Sequence, residues 1–214
     1  MKKKNIAMIL ILLILLAITL IGTYAYKIYT QDTMKNTFII GDVAIEFYEK
    51  DENGNKVDTL EQEYILERDK TYHKNMVVNI QQGSQSCYVY IVMQNDLAAI
   101  ESPEVEQTLD NMDAASYTPI ATQISQNGWK ERSSGKENIK IYWQAFESNG
   151  RSGEIEFMES FRTKSSFDYD LVRMDGNGSP MMNFTIYAIE KDSNLTESNA
   201  WALLKGEFPD LASY

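Results

Sequence analysis

Cysteine and histidine each occur once in these 214 residues, as Cys87 and His73, and proline only four times. A single cysteine forms no internal disulfide and supplies no cysteine-based zinc or iron–sulfur site. A single histidine rules out every two-histidine metal motif, His-Glu-x-x-His included. Basic residues are also scarce: Lys and Arg number 20 against 31 Asp and Glu, for a formal net charge of −11. That balance argues against a nucleic-acid partner, which requires a basic face turned to the phosphates. Neither Gly-x-Ser-x-Gly nor a glycine-rich phosphate loop occurs, which removes the hydrolase nucleophile elbow and the nucleotide cradle. In so acidic a chain carboxylate pairs are too frequent to nominate an acid and a base. No catalytic residue, metal ligand or cofactor is expected, and the chain reads as a non-enzyme.

The first 26 residues are of a different material. Lys2, Lys3 and Lys4 precede an uncharged run from Asn5 to Tyr26, almost all Ile, Leu, Ala and Met between Ile6 and Ile21. The run closes on Gly22-Thr23-Tyr24-Ala25, with small residues at −3 and −1 for cleavage between Ala25 and Tyr26. Residues 1–25 are therefore expected to be an export signal, or an uncleaved anchor, since about 20 apolar residues span a bilayer. In both cases the lysines stay inside and everything after Ala25 faces outward. Cleavage takes three lysines and no acid from the charge of −11, leaving −14 on residues 26–214. An acidic, cysteine-poor exported chain fits a bacterial source better than a small disulfide-rich module.

The remainder alternates as strands do. Val43, Ile45 and Phe47 share one face, and Asn53-Gly54 suits a hairpin turn at positive φ. Met76, Val78 and Ile80 alternate, as do Cys87, Val89, Ile91 and Met93, so Cys87 is expected to be a core thiol. Further strands are predicted through Ile139, Ile141, Trp143 and Ala145, and through Ile155, Phe157 and Phe161. Phe184 to Ile189 is apolar on both faces, as a central strand is. Pro103 opens a predicted short helix near 103–113, with Val105, Leu109 and Met112 on one side, and Thr196 caps a last helix carrying Ala200, Trp201 and Leu204. About eight strands and few helices predict an all-β, jelly-roll-like antiparallel β-sandwich with one or two short peripheral helices.

Other features read as structure before function. Asp51-x-Asn53-x-Asn55 resembles a calcium-loop opening, but its glycine is fourth and position 12 is Gln62, so a turn is expected; Asp175-Gly-Asn-Gly-Ser is likewise a turn. His73 is expected to be an exposed polar residue at a strand start. Tyr142 and Trp143 in one strand are expected to be core or sheet surface, with a sugar platform the lesser reading.

Several segments together resemble the TasA/camelysin-like proteins of Gram-positive bacteria. They are the signal ending Gly22-Thr23-Tyr24-Ala25, the strand Asn36-Thr-Phe-Ile-Ile-Gly-Asp-Val-Ala-Ile-Glu, and Val77-Val-Asn-Ile-Gln-Gln-Gly-Ser followed by Tyr88-Val89. Asn127-Gly-Trp129, Ile141-Tyr-Trp143, Gly153-Glu-Ile-Glu-Phe, Thr185-Ile-Tyr-Ala-Ile189 and Ala200-Trp-Ala-Leu203 follow in the family's order. Departures occur at Arg68-Asp-Lys, where relatives often turn on Pro-Gly, at Tyr90 in place of an Arg, and at Tyr26-Lys-Ile-Tyr. The resemblance implies export through a SipW-type signal peptidase and a role as subunit of biofilm-matrix fibres outside the cell. Partners would be copies of itself or related matrix subunits, with the membrane met only through the N-terminal signal or anchor. It divides the chain into residues 1–25, an extended segment 26–35, and a sandwich domain 36–214. Residues 26–35, with Tyr26, Ile28 and Thr30 on one face, would be a donor strand for the next subunit; otherwise they are a stub left by cleavage. The alternative to a fibre subunit is a membrane-anchored cell-surface binding or accessory module without enzymatic activity. Some relatives carry a metallopeptidase label, which His73 alone cannot support.

Overall fold

The computed structural model describes residues 29–57, 61–105, 116–147, 152–167 and 181–214. Nine strands appear in chain order among them: β1 Tyr29–Ile40, β2 Ile45–Lys50, β3 Glu61–Ile65, β4 Thr71–Ile80, β5 Cys87–Asn95, β6 Lys130–Arg132, β7 Ile139–Phe146, β8 Gly153–Arg162 and β9 Met181–Glu190. Two helices, α1 Ile120–Gln126 and α2 Glu197–Glu207, lie at the periphery. The strands form a six-stranded sheet, ordered β3-β1-β9-β5-β7-β6, and a three-stranded sheet, β2-β4-β8. The protein is an all-β sandwich with short helices, as its alternation predicts. One pairing departs from the expected antiparallel scheme: β1 runs parallel to β9.

The alternation of β5 and β9 builds two cores at once. Val89, Ile91 and Met93, with Phe184, Ile186 and Ala188, face the small sheet and meet Phe47, Val78 and Phe157. Tyr88, Tyr90, Tyr187 and Ile189 face the other way and are roofed by Trp201, Leu204 and Leu211. A strand apolar on both faces fits only between two such layers. Thr196 caps α2 as expected, its side chain accepting from Asn199 N. Arg132 then ties the helix to β6, pairing with Glu197 at 2.7 Å and lying 5.3 Å from the Trp201 ring.

One local expectation is corrected. Ser102 to Val105 is not helical, because Ser102 N donates to the Arg162 carbonyl (2.7 Å) and Val105 exchanges both backbone bonds with Tyr117 (2.9 Å each). Peptide groups so committed cannot serve a helix; residues 106–113 of that prediction lie outside the described residues. At the Asn53-Gly54 turn only Gly54 takes positive φ, at 81°. Asp51 organises this turn, accepting from Asn53 N (2.9 Å) and Asn55 N (2.8 Å). Asp175-Gly-Asn-Gly-Ser lies outside the described residues. Gly41 joins β1 to β2 at φ +90°, and a Cβ there would lie 2.5 Å from Glu190 Cβ, so glycine is required.

The β8 edge of the small sheet is closed by side chains. Gln123 of α1 accepts from Glu159 N (2.8 Å) and Ser160 N (3.2 Å) and donates to the Ser160 carbonyl (2.9 Å). Trp129 Nε1 donates to the Glu156 carbonyl at 3.0 Å. An amide side chain here takes the place of the next strand's peptide group. No helix among the described residues is long and apolar enough to cross a membrane.

Candidate functional site

Of the residues singled out for function, Ala25, Tyr26 and Ile28 lie outside the described residues. Thr30 falls in the first half of β1, opposite Tyr64 of β3. That half occupies a slot in the large sheet. On one side, residues from Tyr29 to Thr33 pair antiparallel with Ile65 to Glu61. On the other, Gln31 to Met34 pair parallel with Met181 to Phe184, and after an irregularity between Met34 and Thr37 the ladder continues to Ile40 and Ile189. Residues 29–35, read from sequence as an extended segment ahead of the domain, are thus part of a strand with neighbours on both edges.

The slot's surroundings are built from β2, β3, β4, β8 and β9. Tyr64 is set edge-on to Tyr72 (5.6 Å) and Phe161 (5.7 Å). Its hydroxyl lies 3.4 Å from Glu49 Oε1 and 3.3 Å from the His73 carbonyl. Beneath it Glu49 and Lys74 form an ion pair at 2.6 Å with both side chains almost wholly buried. Each charge occupies a core-facing position, Glu49 in phase with Ile45 and Phe47, Lys74 with Tyr72. Across the slot, Asn183 stands opposite Thr33 and keeps its Oδ1 buried with no hydrogen-bond partner among the described residues. The occupant here is the chain's own β1, held through main-chain bonds on both edges.

The remaining candidates are accounted for by structure. His73 is half-buried, with Nε2 3.1 Å from the Lys50 carbonyl. Cys87 is fully buried, and burial pushes its thiol up to about 12, which leaves no thiolate for nucleophilic work at neutral pH. Tyr142 points into the core against Phe157, whereas Trp143 lies on the opposite face beside Tyr88 and Lys130. The two rings therefore form no joint platform. A cleft of about 350 Å³ opens beside Lys50, Val77, Asn127 and Glu154, and Glu154 in it bonds Lys50 and the Tyr48 hydroxyl. Among the described residues no three His, Cys, Asp or Glu side chains are grouped to hold a metal ion.

These contacts set a pH range for stability. The Lys50 ammonium and then the Tyr48 hydroxyl hold Glu154 below its ordinary 4.5, and the Asn55 amide holds Asp51 below 3.8. A carboxylate with a lowered folded value stabilises above its unfolded value and loses that contribution as pH falls through the folded one. Burial, chiefly, pushes the Tyr90, Tyr117 and Tyr142 hydroxyls above their ordinary 10 and Tyr187 to about 12. Groups raised in this way stabilise below 10 and lose that contribution as pH rises beyond it. The urea midpoint is therefore expected to be level from about pH 5 to about pH 9 and to fall on both sides. A midpoint unchanged at about pH 3 and about pH 11 would contradict these assignments.

No family model, no curated protein and no solved structure matches the chain.

Proposed function

We propose that this chain is an exported structural protein, a subunit of extracellular matrix fibres joined head to tail by an N-terminal strand that one copy lends to the next. The observation that carries the reading is the first half of β1. It fills a slot between β9 and β3, is the parallel member of the large sheet, and connects to the domain through the irregularity at Met34–Thr37. A strand held by main-chain bonds on both edges can be supplied equally well by a second molecule. A contact of that kind does not close on itself, so it propagates. The resemblance to TasA/camelysin-like proteins supplies the setting: cleavage after Ala25 by a SipW-type peptidase, and assembly with itself or related subunits at the cell surface or in the matrix.

Negative-stain electron microscopy of residues 26–214 tests this, after concentration and after a drop to about pH 5, where carboxylate protonation relieves part of the −14 charge. Filaments of uniform width are expected. Deleting residues 26–35 should abolish them while near-ultraviolet circular dichroism keeps its aromatic signature. Filaments from the deleted chain would end the strand-donation reading. Monomers alone from the undeleted chain would favour the anchored surface module, whose mark is an intact N-terminus in the membrane fraction.

A further inference from the structure

β3 is the outermost strand of the large sheet, and among the described residues its only strand partner is β1. The pairing covers Tyr29 to Thr33, the part of β1 that lies in the slot, and stops before the irregularity at Met34. The two ends of β3 are secured differently. At its C-terminal end, the Tyr72 hydroxyl donates to the Ile65 carbonyl (2.8 Å) and accepts from Glu67 N (2.6 Å), while Leu66 is fully buried. That end is pinned to β4 whatever fills the slot. From Glu61 to Glu63 the backbone pairs with β1 alone among the described strands, so that stretch owes its ladder bonds to whatever fills the slot.

We propose that β3 is a latch that closes over the strand in the slot, and that Tyr64 is the positioning residue that seats it. Tyr64 is the one residue of β3 whose ring stands against Tyr72 and Phe161, and its hydroxyl reaches Glu49. With β3 docked, Tyr64 lies over the Glu49–Lys74 pair, its ring centre 5.8 Å from Lys74 Nζ. Opening the latch hands two buried charges back to water, which solvates them well, so this opening costs less than uncovering an equal area of hydrocarbon. The fold thereby holds a hinged strand with two accessible positions, and closing it adds a second edge of main-chain bonds to the occupant. The latch takes its purpose from the strand-donation reading, with the N-terminal strand of a second copy as occupant.

Hydrogen–deuterium exchange of the full-length chain, kept soluble in mild detergent, tests it. In Tyr64→Ala the amides of residues 29–33 and 61–63 should exchange together, about tenfold faster or more, with residues 37–40 and β5 unchanged. Tyr64→Phe, which keeps the ring, should fall well short of that. Faster exchange in 61–63 alone would overturn the latch, since β3 would then be a passive edge; so would no change in either segment. Should Tyr64→Ala loosen the whole sandwich, the chain lacking residues 26–35 decides: 61–63 must lose protection while β4 and β8 keep theirs. Protection retained at 61–63 in that chain would overturn the proposal. These outcomes are independent of filament formation, so a latch without fibres and fibres without a latch are told apart.

Discussion

Phe157→Ala is expected to destabilise the domain by about 3–5 kcal/mol, out of a total of roughly 5–15 kcal/mol for a domain of this size. Phe157 is fully buried on β8 at the point where both sheets and the β7 strand meet. Its ring meets Trp129 at 5.3 Å, Tyr142 at 5.5 Å, Phe184 at 6.1 Å and Phe47 at 6.4 Å, all edge-on. Truncation leaves a void walled by four rigid rings, which cannot collapse into it as flexible aliphatic chains do. Each aromatic contact adds about 0.5–1.5 kcal/mol beyond the area it hides. Urea titration at neutral pH reads the effect; a loss under about 1.5 kcal/mol would mean that the centre of the sandwich repacks freely.

Lys74→Met alone is expected to cost about 3–5 kcal/mol, whereas Glu49→Leu with Lys74→Met should be neutral or stabilising. The two side chains are only 6% and 3% exposed and 2.6 Å apart. Removing the lysine strands a carboxylate out of water with little but the distant Tyr64 hydroxyl to answer it. Removing both partners deletes the desolvation cost along with the attraction, and leaves hydrocarbon among Tyr64, Tyr72 and Phe161. Differential scanning calorimetry of the three proteins decides it. A double variant as unstable as the single one would show that the pair contributes net stability beyond what packing can replace.

The fold was legible wherever residues repeat at the spacing of a strand or a helix. Cys87, Val89, Ile91 and Met93 announce β5 by period two, and Thr196 with Ala200, Trp201 and Leu204 announces α2 by its cap and its helical spacing. Helix α1 was not legible, because its seven residues carry no capping side chain of their own. Its first amide, Ile120 N, is met by Glu101 Oε1 at 2.6 Å, from a residue nineteen positions earlier. The slot was half legible. The segment 26–35 was set apart through the family resemblance alone, and a parallel partner leaves no turn between β1 and β9 to mark the pairing. The buried pair had a signal that passed unread: Glu49 and Lys74 each fall in phase with the apolar face of a strand, with opposite charge. Two in-phase charges of opposite sign on strands that pair are a pattern worth seeking in sequence.

At the β8 edge, the amide of Gln123 and the indole of Trp129 already answer the peptide groups of Glu156, Glu159 and Ser160. A foreign strand arriving there would first have to peel α1 away and break those bonds. Molecules crowded together at high local concentration are thereby denied sideways fusion through this margin of the small sheet. Association through this margin therefore carries a toll that an unprotected strand would not levy.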